Sequence, residues 1–568
     1  MPIKYFVPFT GIFTYPMFAL LFWFIIESFQ NLFVIPNVVR ILIIYVLPII
    51  FPVIITVTNF ERKARGQVDF SFSEVYGLGN KDPKHSKEYL EAAYPDVPAK
   101  YTSKIPKGLV LGKHKGKYVM CPIGKDGCNI FVVGTPGSGK SVLLLGWLYS
   151  MIYREEIAKK AKEKPSDPFS FFLVDIKGEL FMKLLQIGEK EYSANDYSDF
   201  HVVQPSNRSS YGYDVFYRLR KNNLTQTERI KAITDITESL IMEAGSNDSP
   251  YFSENAKKLM AGFLYFFSLK NYEFVDIIKI IMRTNLEELL HEVLKEAKEK
   301  RIGFVLDKLA LFEGKSGNES IQDVEATLQV YLSVFSYPDI EYCLKNNPLK
   351  TSPAKLREGI NIDLAIEESM LTTYQPIFRL ICMQMLKECE EFKESDERKT
   401  MLIFDEAARI GKVDSLDAAM STLRSKHVSL ICLFQSISQF KHLYPSEMAK
   451  TLLNLCEIKL FLSGGDKETA DYVAALAGDY EATKMSYKRK GAFGGKSDGN
   501  YSTERRPIID AKEMAMLREK GECISFLYGH YIRCKKLRYF EDPILAPLLK
   551  RKKKKRQRLN KEPDKKGR

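Results

Sequence analysis

The chain has 568 residues, enough for about three domains with full cores, and 45% hydrophobic with 27% charged residues is the composition of a folded protein rather than a disordered one. Nine cysteines, odd in number and without C-x-x-C spacing, exclude a disulfide framework and point to a reducing compartment; Cys121 and Cys128 belong to core or turn rather than to a metal. The net charge of +13 is concentrated: residues 550–568 hold twelve Lys and Arg against two Asp and Glu, a net of +10, which leaves +3 for everything before them. The nearly neutral body excludes a basic nucleic-acid surface spread over the whole fold.

Two apolar runs open the chain. Residues 6–26, FVPFTGIFTYPMFALLFWFII, and 41–58, ILIIYVLPIIFPVIITVT, have bilayer-spanning length, and Pro48 and Pro52 are better tolerated in a span than in a soluble helix. A cleaved signal peptide fits the first run poorly, since no small-residue cleavage site follows and the second run arrives almost at once. Lys4 precedes the first run, and Arg62, Lys63 and Arg65 follow the second. Residues 1–60 are therefore expected to form a transmembrane hairpin with both ends cytoplasmic.

At residues 130–147 the sequence reads IFVVGTPGSGKSVLLLGW, a strand-like run, a glycine-rich loop and a helix-like run. Gly134, Gly139, Lys140 and Ser141 satisfy G-x-x-x-x-G-K-[ST]. The backbone of such a loop must curl so that successive N–H groups face phosphates, which a Cβ would obstruct. Gly134, Thr135, Pro136, Gly137, Ser138, Gly139, Lys140 and Ser141 are thus candidate ATP-binding residues. Lys140 would neutralise the β and γ phosphates, Ser141 would place its hydroxyl on Mg²⁺, and the following helix would aim its positive end at the anion.

Two further strand-like segments end in acids, FFLVDIKGEL at Phe171–Leu180 and MLIFDEAARIGK at Met401–Lys412. A magnesium-dependent hydrolase needs a carboxylate at a strand end near the P-loop. Only the second segment adds an adjacent glutamate, so Asp405 reads as the magnesium partner and Glu406 as the catalytic base. Asp175 then serves a structural or coupling role, or caps a turn. A third strand, VSLICLFQSISQF, carries Gln435 at its polar end, where an amide orients the attacking water, senses the γ-phosphate or caps the next helix. Arg424 precedes that strand, either within reach of a neighbouring subunit's phosphate or as a solvated charge.

Strands alternating with helices imply a mainly parallel sheet flanked by helices, and the distance from Lys140 to Asp405 requires an insertion. Thr225-Gln-Thr-Glu228 and Thr284-Asn-Leu-Glu287 have capping-box spacing and open apolar-periodic runs, so residues 218–348 read as an all-α domain. The expected organisation is a hairpin at 1–60, a nucleotide-binding domain in two parts at 61–217 and 349–545, the insertion between them, and a disordered basic tail at 546–568. Residues 485–506, MSYKRKGAFGGKSDGNYSTERR, mix Tyr487 and Tyr501 with Lys488, Arg489 and Lys490 and read as a DNA-contacting loop or a surface excursion.

The succession of PKGLVLGKHKGK, the P-loop, LVDIKGEL, VVQPSNRSSYGYDVF, PYFSENAKKLMAGFLYFF, IFDEAARIGK, LFQSISQFKHLYP, GDKETADYVAALAG and RRPIIDAKEMAMLREKGECISF resembles the type IV coupling proteins of conjugation and secretion, the TraG/TraD group, over nearly the whole chain. The resemblance implies a RecA-like P-loop ATPase core with an inserted all-α domain, assembled as a homohexamer at the bacterial inner membrane. It also implies ATP and Mg²⁺ as ligands, and single-stranded DNA with its relaxase, protein effectors and inner-membrane secretion components as partners. By motif, Lys140 and Ser141 match Walker A, Asp405 and Glu406 match Walker B, Gln435 matches the third-motif glutamine, and Arg424 stands where a trans arginine finger is expected. The basic tail is not something the family requires. Two other functions share the motor: a docking receptor in which ATP mainly stabilises the ring, and a chromosome-segregation type DNA pump, whose C-terminal winged helix would not fit after residue 545.

Overall fold

The computed structural model describes residue 23 and residues 87–121, 127–176, 178, 180, 183, 200–241, 250–314, 319–394, 398–413, 416–486 and 500–548. The chain divides into two units, 1–89 and 90–568, and the architecture below belongs to the second. The expected transmembrane hairpin lies outside the described residues; among those described, no helix is long and apolar enough to cross a membrane.

Three short strands, β1 (Thr102–Ser103), β2 (Val110–His114) and β3 (Lys117–Met120), precede β4 (Ile130–Val133), whose four residues are all buried. Burial on both faces is what a continuous apolar run with no alternation dictates. The helix α1 (Lys140–Ile152) follows, with Leu143 through Met151 buried; Trp147 is fully enclosed and its indole N–H donates to the carbonyl of Val110 at 2.8 Å. Next come β5 (Phe169–Asp175), β6 (Phe200–Val203) and the two-residue β7 (Gly212–Tyr213).

Among the described residues, six longer helices separate β7 from the next strand: α2 (Gln226–Leu240), α3 (Pro250–Leu269), α4 (Phe274–Arg283), α5 (Leu286–Glu299), α6 (Gly303–Leu309) and α7 (Glu319–Leu332). Thr225 forms a full capping box with Glu228 at the start of α2. At α5 the expected Thr284 box is not formed. Asn285 caps instead, its side-chain oxygen accepting from the N–H groups of Glu287 and Glu288 at 2.9 and 3.3 Å, because a short amide one residue closer reaches both orphan donors. Gly262 lets α3 and α6 pack closely: a Cβ there would stand 2.5 Å from Leu309 Cδ2.

The chain returns through β8 (Lys350–Thr351), β9 (Asn361–Ala365), the long helix α8 (Leu371–Glu390), β10 (Lys399–Phe404), α9 (Leu416–Leu423), β11 (Val428–Phe434), α10 (Ile437–Leu443), α11 (Ser446–Leu455), β12 (Ile458–Phe461) and α12 (Lys467–Ala477). Arg218, just after β7, ties the helical segment to the core: it meets Glu388 of α8 at 3.2 Å and Asp235 of α2 at 2.9 Å. A hairpin of β13 (Asp479–Ser486) and β14 (Asn500–Pro507) leads to α13 (Ala511–Lys520), β15 (Glu522–Leu527) and β16 (His530–Lys536). The stretch read as a DNA loop thus begins and ends in paired strand, and residues 487–499 between them lie outside the described residues.

Twelve of these strands form one sheet in the order β1-β3-β2-β16-β15-β12-β4-β11-β10-β5-β9-β6. From β12 to β6 every pairing is parallel; from β12 to β1 every pairing is antiparallel. The sheet is therefore mixed rather than mainly parallel, since hairpin connections at both ends of the chain extend the parallel core on one side. Of the expected basic tail, residues 549–568 lie outside the described residues; Ala546 and Leu548, at its start, are buried with Leu545.

Candidate nucleotide site

The P-loop lies at the carboxyl edge of the parallel strands. The N–H of Gly134 donates to the carbonyl of Phe434 at 3.1 Å, fixing the loop to the end of β11. The N–H of Thr135 donates to the hydroxyl of Ser463, just past β12, at 3.1 Å, and the two hydroxyls lie 2.7 Å apart. A turn closed by Ser138 N–H on Thr135 C=O at 3.0 Å carries Pro136 and Gly137 to the surface. Gly137 at φ +73° and Gly139 at φ +100° occupy conformations that glycine adopts without cost. Gly139 is the N-cap of α1, so Lys140 and Ser141 are its first two residues and the positive end of a 13-residue helix faces the loop.

Strand order places the two acids nearby, with β11 between β4 and β10. Asp405 follows β10, its N–H donating to Val174 C=O of β5 at 3.3 Å. Glu406 is left-handed at φ +55° and ψ +55°, a conformation costing a non-glycine residue about 1–2 kcal/mol. Its carboxylate accepts from Gln435 Nε2 at the end of β11 and lies 3.6 Å from Arg409 Nε. Gln435 itself is anchored where its backbone N–H donates to Gln439 Oε1 at 2.9 Å, inside α10, which Ser436 caps. A strained glutamate held by an amide from the adjacent strand is a preorganised acceptor at the mouth of the loop.

The remaining sequence candidates stand apart. Asp175 is fully buried, and its Oδ2 accepts from Leu180 N–H at 2.7 Å, a turn-capping role. Arg424 lies before β11, which is parallel to β4, and so sits at the amino edge of the sheet, one strand length of roughly 20 Å from its own P-loop. There Nη1 meets Glu457 Oε1 at 2.8 Å, while Glu457 Oε2 accepts from Asn129 N–H at 2.8 Å. The structure brings together the P-loop, Asp405, Glu406 and Gln435, and leaves Arg424 outside that group. Sequence reasoning missed Ser463, Arg518 and Lys536; the last donates from Nζ to the carbonyl of Ser138 at 2.9 Å. A small polar residue directly after an apolar strand, as in IKLFLSGG, is the one signal that pointed to Ser463.

Protein VirD4 of Agrobacterium fabrum is 25% identical over 199 residues, which is 34% of this chain and 29% of VirD4. The conjugal transfer protein TraG of Rhizobium radiobacter is 22% identical over 347 residues, 60% of this chain and 54% of TraG. The chain thus spans about half or less of the length of these relatives. Among solved structures, the plasmid coupling protein TrwB in complex with ADP and Mg²⁺ superposes with a TM-score of 0.57 at 17% identity, covering 78% of this chain and 92% of that one. TrwB with a non-hydrolysable ATP analogue gives 0.55 at 16% identity, covering 80% and 99%. At this identity the likeness shows a shared α/β fold. The model of the type IV secretory system conjugative DNA transfer family matches residues 168–565, well over half of the chain, and to that family the chain belongs.

Proposed function

We propose that this chain is the coupling ATPase of a conjugative type IV secretion system: a P-loop NTP hydrolase that links relaxase-bound single-stranded DNA, or protein substrates, to the secretion channel. In this reading residues 1–60 anchor it in the bacterial inner membrane by two spans, the bulk of the chain is cytoplasmic, and six copies form the working ring. The observation that carries the proposal is the convergence of the P-loop with Glu406 and its partner Gln435 at the ends of β4, β10 and β11. The P-loop precedes the segment matched by the family model, so it supports the motor assignment independently.

ATP and Mg²⁺ are the ligands this site suits, as the ADP–Mg²⁺ and ATP-analogue complexes of TrwB support. Bound Mg²⁺ would supply charge neutralisation on the β and γ phosphates. The donor set fits: magnesium takes one or two protein oxygens and completes its shell with phosphate and water, and Ser141 and Asp405 offer a hydroxyl and a carboxylate. Lys140 and the N–H groups of residues 137–141 would hold the phosphate chain. Glu406 would take the proton of the attacking water, with Gln435 holding its carboxylate in place.

Glu406→Gln should keep ATP bound while hydrolysis falls by about a hundredfold to ten-thousandfold, whereas Lys140→Ala should lose hydrolysis altogether. Turnover by Glu406→Gln equal to that of the unaltered protein would remove Glu406 from the base role.

A further inference from the structure

Two cations from the C-terminal part of the chain reach the P-loop of the same subunit. Lys536, ending β16, holds the carbonyl of Ser138 at 2.9 Å. Arg518, in the last turn of α13, lies over Gly137: a Cβ on that residue would stand 2.9 Å from Nη2 and 3.2 Å from Cζ. Glycine at 137 is favoured by its positive φ, and the Arg518 guanidinium lies where a Cβ would point.

The helix that carries Arg518 is anchored at both ends. Asp510 caps α13 through Glu513 N–H at 2.8 Å, and Gly521 at φ +64° ends the helix, its carbonyl accepting from Lys536 N–H at 2.9 Å. Glu513 also meets the fully buried Arg533 of β16 at 2.8 Å, and Arg533 meets Glu522 at the same distance. Those buried ion pairs hold α13 against β15 and β16, and with it the backbone from which Arg518 reaches the loop.

Neither Arg518 nor Lys536 has an ion-pair partner among the described residues. In the cavity of about 400 Å³ that Lys536 helps to line, Lys113 is paired with Asp542 at 2.6 Å, Arg538 with Glu541 at 3.3 Å and Lys520 with Glu513 at 3.2 Å, while Lys535 also lines it. Burial holds the Lys536 ammonium below its usual range, and the charges of Arg518 and Arg538 push it further down. Two uncompensated cations against a loop that wraps phosphate are an anion site assembled in advance.

We propose that Arg518, seconded by Lys536, contacts the phosphate chain of the bound nucleotide in cis, so that the end of the chain completes the site its P-loop begins. The proposal rests on the nucleotide reading above and adds a binding residue from outside the P-loop and the strand-end acids. Because Arg518 covers the loop itself, it strengthens the binding of ADP as well as ATP.

The test is binding of mant-ADP and mant-ATP to the full-length protein in detergent, for the unaltered chain, Arg518→Ala, Arg518→Gln and Arg518→Lys, with melting temperatures taken without nucleotide. Arg518→Ala and Arg518→Gln should each bind both nucleotides about tenfold to a hundredfold more weakly at an unchanged melting temperature, and Arg518→Lys should recover much of the loss. If Arg518→Ala fails to fold, Arg518→Gln, of similar length and without charge, carries the measurement. Unaltered affinity in the uncharged variants overturns the proposal while leaving the nucleotide site intact. Failure of the unaltered protein to bind either nucleotide overturns the nucleotide reading beneath it.

Discussion

Asp363 sits in the middle of β9, between β5 and β6, with 1% of its surface exposed, and neither carboxylate oxygen has a hydrogen-bond partner among the described residues. Burial, and then the charge of Asp175, push its pKa well above the ordinary carboxylate range. A buried polar group without a partner costs about 1–3 kcal/mol relative to an apolar group of the same shape. Asp363→Val removes the unpaired oxygens and suits a buried strand, adding about one methylene of volume, so it should stabilise the fold by up to about that amount at pH 7. The pH dependence gives the argument a sign. A group whose folded-state pKa is raised contributes stability below its unfolded value of 3.8 and loses it as pH rises towards the folded-state pKa. The advantage of Asp363→Val should therefore be smallest near pH 4 and grow upward from there. Urea denaturation of the full-length protein and the variant at several pH values reads the difference directly. Destabilisation by Asp363→Val at pH 7, or a difference that does not change with pH, would mean that the Asp363 carboxyl is not an unsatisfied buried group.

His201 is 7% exposed, stacks on Tyr211 at 4.0 Å and places Nδ1 2.8 Å from Thr351 Oγ1; burial, and then the charge of Lys355, hold its pKa down to about 4. Stability that depends on the neutral ring is present above pH 6.5 and is lost as pH falls towards 4, by about 1–2 kcal/mol once solvent screening is discounted, and His201→Gln should remove that slope in the same denaturation series. Arg424→Ala breaks a half-exposed ion pair with Glu457 and should cost under about 1 kcal/mol of stability. If Arg424 serves a neighbouring subunit's site, the same variant should lose turnover while keeping nucleotide affinity, and full turnover would return Arg424 to a surface charge.

What could be read from the sequence was what contiguous residues carry. The P-loop needs eight neighbours in a row, the acids after β10 sit at the end of an apolar run, and the Thr225 box lies within four residues. The contact of Gln435 with Glu406 spans 29 residues and exists only because β10 and β11 pair in parallel, so no local pattern reports it. Asn285 displaced Thr284 as a cap because both residue types can accept from a helix end and the geometry chooses between them. Lys536 and Arg518 reach the P-loop from nearly 400 residues away, through an antiparallel extension of the sheet that the strand–helix alternation did not imply. The residues flanking 487–499 pair as β13 and β14 although glycine and charge dominate the sequence between them, since strand pairing is decided across the hairpin rather than within it.

A nucleic-acid motor should reveal itself in ATP hydrolysis by the protein with and without single-stranded DNA, with Lys140→Ala as the blank and ring assembly monitored in parallel. Hydrolysis should rise when DNA is added and vanish in Lys140→Ala. Assembled rings that hydrolyse ATP at one rate whether or not DNA is present would contradict a nucleic-acid motor and favour a receptor for protein substrates.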